Sequence, residues 1–410
     1  MNNRWTMGQY GLYRTILGLY LLQHFLRLLP WGTELFSSAG VLPEANVSPL
    51  IHLFPNILAL WDSATAVTVC LGAAVVLSAF FTVGKFDRLA AVLIWYLWAC
   101  FYDRNPLIGN PSLPFVGWLL LAHALIPRST AARSSKNRFA ITHGTLPPDI
   151  YLAAWIVMSL AYSYSGYTKL VSPSWIDGSA MSRVLSNPLA RDTFLRTMLL
   201  SLPPWVLKVG TWSALGLELS FAPLALFRRL RPWVWLVMVA LHLGLMLLVN
   251  FADLTAGMLI LHFFTFDPAW VPSRQPAGQT VFYDGHCGLC HWFVRFVLEE
   301  DRSAQPCSFA PLQGEFARRS LPEHVRVNLP ESVVVLDEKN SVLTRSTAVI
   351  YVMKRLGGFW FLAAGALTLI PRRLRDLGYN AVSSMRNRIA GTRQNLCPIV
   401  GEPWSARFLP

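Results

Sequence analysis

Residues 281–290 read VFYDGHCGLC, and the chain continues as HWFVRFVLEE to residue 300. VFYDG has the look of a buried strand ending in a turn. Cys287-Gly-Leu-Cys290 then opens a helix whose apolar positions 293, 294, 297 and 298 fall on one face. A thiol at a helix start is chemically special. Unpaired backbone N–H groups and the helix dipole stabilise a thiolate there. Such a Cys287 thiolate can attack a disulfide, and Cys290 can then resolve the mixed disulfide. His286, next to the pair, would assist when protonated. The rival is metal: His286 and His291 flank the pair, and Cys307 or Cys397 would complete four ligands for zinc. No second CxxC exists in the sequence. The spacing therefore favours redox chemistry over a metal site.

The sequence beyond the pair reads as short, mixed elements. CSFAPL and SVVVLD read as strands, and RSTAVIYVMKRLG reads as a helix with a basic end and a glycine stop. The order strand, CxxC, helix, strand, helix, strand, helix predicts a thioredoxin-like α/β domain over 279–410. Pro330, before SVVVLD, stands where such a fold can carry a cis-proline facing the pair. Six cysteines in 410 residues do not make a disulfide scaffold.

DGHCGLC and the strand before it resemble the DCC family of thiol–disulfide oxidoreductases, whose letters here are Asp284, Cys287 and Cys290. The similarity continues through RSTAVIYVMKRL, LIPRRLRDLGYNAVSSMRNRI and CPIVGEPWSARFL, so it covers nearly all of 279–410. The resemblance implies a thioredoxin-like fold and a redox role for Cys287, Cys290 and Asp284. The partner it implies is a protein or small-molecule thiol or disulfide.

Residues 1–270 are of another kind. The chain is 54% hydrophobic and 14% charged, with 16 Trp and 24 Phe, whereas about 25% charged is usual for soluble domains. Eight stretches read as membrane spans: 8–29, 57–81, 88–101, 113–126, 151–170, 204–227, 232–250 and 255–267. The third, fourth and eighth are short and the first is polar. The first also carries Arg14, His24 and Arg27 with no small-residue cleavage site after it, so it reads as a span and not as a cleaved leader. Loops on one side hold ten Lys and Arg and loops on the other hold four. That bias predicts both termini on the cytoplasmic side, in a bacterial inner membrane. A lasting structural disulfide at Cys287–Cys290 would be unexpected in that reducing compartment. The net charge of +13 is split as +7 and +6 between 1–270 and 271–410, which suits loops beside anionic lipid. No aromatic–basic interleaving points to nucleic acid. The segment 359–371, FWFLAAGALTLIP, is too short to span. It reads equally as a core helix or as one lying on the inner leaflet.

Ionisable groups inside spans point to function. The candidates are Lys169, Glu218, His242 and His262, with Asp253 in a short outer turn. From position alone Lys169 reads as a snorkelling interface lysine, His242 as an interhelical hydrogen-bonding group, and Glu218 as a carboxylate needing Lys169 or His242 as partner. The stretch 163–181, SYSGYTKLVSPSWIDGSAM, resembles the HTTM domain, the membrane module shared with vitamin K-dependent gamma-carboxylase. The matching pieces are Gly166-x-x-Lys169-Leu170, Trp175-x-x-Gly178 and Ser179, Ala180 and Met181. The resemblance implies that Lys169 acts as a base at a quinone or quinol pocket that includes Glu218, His242 and Trp175. IGNPSLP keeps Asn110 but lacks the histidine of the carboxylase motif, and the large lumenal domain is absent.

The resulting expectation is a polytopic α-helical membrane bundle of about eight spans, residues 1–270, followed by a small thioredoxin-like domain, residues 279–410. Its leading function is an integral membrane thiol–disulfide oxidoreductase whose membrane module binds a quinone or other lipophilic molecule. A carboxylase-like quinol-dependent enzyme with an accessory thiol domain is the first alternative. A non-catalytic membrane scaffold is the second.

Overall fold

A computed structural model describes residues 5–49, 51, 53–126, 145–271, 279–303, 305–323, 326, 333–337, 341–390 and 404–410. Pro330 and Cys397 lie outside them. The chain divides into two compact units. One comprises Gly11–Ile126 and Pro147–Phe266, the other Asn2–Tyr10, Pro127–Leu146 and Asp267–Pro410.

The first unit is helical. Its long helices are α1 (Met7–Leu28, from Gly11 onward), α2 (Ala64–Val83), α3 (Asp87–Arg104), α4 (Leu113–Leu125), α5 (Pro148–Lys169), α6 (Pro204–Leu226), α7 (Arg231–Leu248) and α8 (Ala252–Thr265). A helix therefore stands at each of the eight expected places. Among the described residues only α2, α6 and α7 are long and apolar enough to cross a membrane, and eight spans are not shown. The reason is compositional. α1 carries Arg14, Gln23, His24 and Arg27, and α3 begins and ends on charge. α4 and the apolar part of α8 are short. The stretch expected as one span from 57 is also broken. Asn56 caps a four-residue turn, and Ser63 restarts the helix by accepting a hydrogen bond from the Ala66 N–H at 3.3 Å. At the far end of α2, Gly84 takes φ +82°, and its N–H and that of Lys85 reach back to the Phe80 carbonyl.

Helices α5 and α6 approach closely. A Cβ at Gly166 would lie 2.7 Å from the Leu219 backbone nitrogen. The absent side chain is thus what lets the two backbones touch. Ser163 seals the seam, donating to the Glu218 and Leu219 carbonyls while accepting from the Ala222 N–H at 3.0 Å.

The second unit is built on a four-stranded sheet of order β2-β1-β3-β4. β1 (Thr280–Tyr283) pairs in parallel with β2 (Ser308–Pro311) and antiparallel with β3 (Val334–Leu336), which pairs antiparallel with β4 (Val342–Thr344). Helix α9 (Gly288–Glu300) makes the crossover from β1 to β2, and its Phe293, Val294, Val297 and Leu298 are buried as the periodicity predicts. α10 (Glu315–Ser320) precedes β3; α11 (Arg345–Leu356), α12 (Gly358–Thr368) and α13 (Arg372–Ala390) follow β4. Gly357, at φ +73°, ends α11 where the glycine stop was expected. Within 359–371, Phe359 and Ala364 of α12 are buried and the Trp360 indole donates to Glu300 at 2.6 Å, so the start of this segment is tied into the unit's interior, whereas residues 366–371 are exposed. Strand β4 was not anticipated.

Two buried carboxylates hold the unit's ends. Asp301 accepts from the Cys307 N–H at 2.7 Å and from Arg407 at 3.1 Å, and Arg407 also donates to the Cys307 carbonyl. The C-terminal residues thereby lie along β2, with the Leu409 N–H on the Phe309 carbonyl. Glu300 accepts from Thr6, the Gly8 N–H and Trp360. Its neighbour Glu299 is pushed by burial up to about 6 from 4.5.

Three outcomes follow. Gly166→Leu should force α5 from α6 and lower the thermal midpoint of the full chain in detergent. Arg407→Ala leaves the Asp301 carboxylate buried without its ion-pair partner, a loss of about 3–5 kcal/mol, read as an earlier urea midpoint for the second unit. The fold binds the Glu299 proton more tightly than the unfolded chain does, so this contribution is present at low pH and is lost as pH rises from 4.5 through about 6. Wild type should lose stability relative to Glu299→Gln across that window.

Candidate functional site

The thiol loop is positioned by β1 and finished by α9. Cys287 is the residue capping α9, in extended conformation (φ −92°, ψ 115°). Its sulfur accepts the Cys290 N–H at 3.4 Å, within range for sulfur, so a backbone donor at the helix start points at the reacting atom. The loop before it is clamped three ways. Asp284 Oδ1 accepts from the His286 N–H at 3.0 Å and from the Gln313 amide at 2.9 Å. Gln313 in turn accepts the Gly285 N–H at 3.1 Å. His291 bonds the Gly285 carbonyl through Nε2 at 2.7 Å, which assigns the proton to that nitrogen.

The two sulfurs are not equivalent. Cys290 is held firmly as a thiol, first by its hydrogen bond to the Cys287 sulfur and then by burial. Cys307 is pushed up to about 12 by burial, beside the Asp301 carboxylate. Cys287 is only 2% exposed and Cys290 7%. Both line an apolar pocket of about 160 Å³ walled by α9, α11 and α13 and by Val333 at the start of β3. Asp284, grouped with the pair in the sequence, acts here on the loop's backbone. Gln313 and Tyr379, which sequence reasoning missed, complete the surroundings. Gln313 has no local signature, and Tyr379 is identified only once α13 is seen to lie over the pair. No cluster of three or more metal-ligating side chains occurs among the described residues. His291 spends Nε2 on the Gly285 carbonyl.

A family model for the DCC1-like thiol-disulfide oxidoreductase matches residues 281–392. The Arabidopsis thaliana "DCC family protein At1g52590, chloroplastic" is 31% identical over 119 residues, 29% of this chain and 68% of that one. The chain belongs to the DCC family. Its similarity also extends to the "Uncharacterized protein YuxK" of Bacillus subtilis (strain 168), 30% identical over 138 residues, 34% of this chain and 98% of that one. All of this DCC likeness lies in a part of the chain. No solved structure matches, and no family match falls on the HTTM-like stretch.

In the first unit, three of the four residues expected at a cofactor come together. Lys169 Nζ meets the Glu218 carboxylate, at 2.5 Å from Oε1, and lies 4.5 Å from the centre of the Trp175 ring. Glu218 thus has the partner its position demanded, and Lys169 is ion-paired, not snorkelling alone. His242 belongs to an adjoining set. Its Nε2 lies 2.6 Å from the Tyr162 hydroxyl, which also stands 3.4 Å from His262 Nε2, and His262 donates through Nδ1 to the Met258 carbonyl. His242 Nδ1 is buried with no partner among the described residues.

A larger cavity, about 490 Å³, opens elsewhere in this unit. Asp253 sits in its wall and gathers three donors: Tyr20 at 3.1 Å, His24 Nδ1 at 2.8 Å and Asn110 at 3.1 Å. His24 passes the chain on through Nε2 to the Tyr102 hydroxyl at 2.7 Å. Lys169, Glu218, Trp175 and His242 are not among the residues lining this cavity.

At neutral pH, brief alkylation of the folded, reduced protein should modify Cys287 and spare Cys290 and Cys307, as read by peptide mass. Removing one member of the Lys169–Glu218 pair, as in Lys169→Met, should cost about 3–5 kcal/mol, and Lys169→Met with Glu218→Leu together should cost less than either alone. The measurement is thermal unfolding in detergent.

Proposed function

We propose that this chain is an integral membrane thiol–disulfide oxidoreductase whose second unit is a thioredoxin-like domain cycling Cys287 and Cys290. The observation that carries the reading is the Cys287 sulfur at the start of α9 receiving the Cys290 N–H. A sulfur in that place is stabilised as a thiolate and so is the attacking group. Cys290, held protonated one turn on, is spared from side reaction until a mixed disulfide on Cys287 removes the hydrogen bond that holds its proton. It then attacks and resolves. The partner is a protein or small-molecule thiol or disulfide. Membership of the DCC family supports the same chemistry. In this reading both termini and the thiol unit face the reducing side of a bacterial inner membrane, where a cycling pair persists and a static disulfide does not.

We further infer that the first unit binds a lipophilic small molecule, a quinone among them. The supporting observation is the 490 Å³ cavity, of ordinary size for a small-molecule site and carrying convergent polar groups on Asp253, His24, Tyr102 and Asn110. Asn110 is the position kept from the carboxylase motif. Lys169 with Glu218 and Trp175 supports a quinol-deprotonating role less directly, because the amine is already ion-paired.

Cys290→Ser should accumulate a stable mixed disulfide on Cys287 when the reduced protein meets a disulfide substrate, and Cys287→Ser should abolish exchange. Non-reducing mass spectrometry of the full-length protein in lipid reads both. A non-catalytic scaffold would show no mixed disulfide in either variant.

A further inference from the structure

The Cys287 sulfur has almost no contact with solvent, yet it borders the pocket described above. Among the described residues that pocket is an approach to it. Its walls are Leu289, Trp292, Phe293, Val349, Val382 and the ring of Tyr379. The Tyr379 hydroxyl accepts the Val333 N–H at 3.1 Å, which occupies one of the few polar groups there. Ser383 is the other side-chain hydroxyl in the lining, and among the described residues no charged one joins it. A charged peptide tail would shed its water here with nothing to replace it. An apolar group would exchange one poorly hydrated surface for another.

The rim carries the same character. Trp292 is 63% exposed and stacks on Phe296 at 5.9 Å. Helix α13 lends Tyr379, Val382 and Ser383 to the pocket, and its Asp376 side chain binds Ser346. Along another face it exposes Leu374, Leu377 and Met385, at helical spacing i, i+3 and i+11. Leu377 is 67% exposed, and Arg372 and Arg373 stand exposed at the start of the helix. An apolar stripe beside arginines matches an anionic lipid surface, where lipophilic molecules collect.

We propose that the pocket beside Cys287 binds the apolar group of a lipophilic disulfide dissolved in the lipid, and that such disulfides are the substrates of this thiol pair. The inference rests on the redox reading of Cys287 and Cys290 and specifies its substrate class. In the reaction the Cys287 thiolate attacks one sulfur of R–S–S–R. A Cys287–S–R bond forms, the R–S–S–R bond breaks, and R–S⁻ leaves to take a proton. Cys290 loses its proton and attacks the Cys287 sulfur, forming Cys287–Cys290 and releasing the second R–S⁻. The substrate gains two electrons and two protons, and the pair loses them. A dithiol reductant restores the pair.

The test uses the reduced full-length protein in vesicles containing anionic lipid. Dibenzyl disulfide or oxidised glutathione is added, and oxidation of Cys287–Cys290 is followed by alkylation gel shift. Each rate is divided by that of free dithiothreitol with the same disulfide, which removes intrinsic reactivity. The expected result is a preference for dibenzyl disulfide of about tenfold or more, equivalent to about 1.4 kcal/mol, that collapses in Val382→Asp. Val382 is half exposed, so this variant keeps the fold; Val349→Asp, at a half-buried position of the same lining, serves as a second. Equal normalised rates, or a preference that survives both substitutions, would overturn the substrate assignment while leaving the redox reading in place. Failure of both disulfides to oxidise the pair would remove the redox reading itself, and the assignment with it.

Discussion

One backbone hydrogen bond organises the chemistry of the second unit: the Cys290 N–H directed at the Cys287 sulfur. It exists because Cys287 caps a helix, and a capping position needs an acceptor. Everything nearby serves to hold that cap. β1 delivers the chain to the turn from the middle of the sheet, between β2 and β3. Asp284, Gln313 and His291 fix the turn through its backbone. The apolar face of α9, against the sheet, fixes the helix. The same arrangement makes the sulfurs unequal, one supplied with a donor and the other kept protonated by its neighbour.

The first unit follows a different constraint, the cost of burying charge among apolar helices. Its ionisable side chains are gathered into sets that satisfy one another. Lys169 is matched by Glu218 under the Trp175 ring, and Asp253 is matched by three donors, two from α1 and one from the segment before α4. The two sets differ in what surrounds them. The ion pair sits, part-buried, beside the seam where Gly166 brings α5 against α6. The Asp253 set faces open space large enough for a ligand. A buried pair is weak ground for catalysis, because its charges are already spent on each other. A relay ending at a cavity is stronger.

How much of this was legible beforehand depended on whether the signal was local. The strand, turn and helix around VFYDGHCGLC could be read, since a helix cap and a 3.6-residue apolar period lie within twenty residues. So could the end of α11, where Gly357 takes the positive φ that glycine tolerates. β4 was missed because three residues, Val342–Thr344, are too few to establish a period of two. Gln313 and Tyr379 were missed because their roles arise only when distant segments meet. Asp253 was noticed but not its set, since His24, Tyr102 and Asn110 come from α1, α3 and the segment before α4. A helix stands at each of the eight expected spans, but among the described residues three are long and apolar enough to cross a membrane, the others being polar or short, as in α1 and α4. A hydrophobic stretch and a helix of membrane length are different quantities.

The central claim is that Cys287 and Cys290 form a reversible two-electron couple. The direct test is an equilibrium redox titration of the full-length protein in lipid against dithiothreitol buffers, read as the mass of the Cys287–Cys290 peptide after alkylation. The account predicts one transition between dithiol and disulfide, with the ratio changing tenfold per about 30 mV as a two-electron couple requires. A pair that stays reduced at every potential until the protein unfolds, or one that copurifies with a stoichiometric metal ion whose removal is needed before any oxidation, would contradict it.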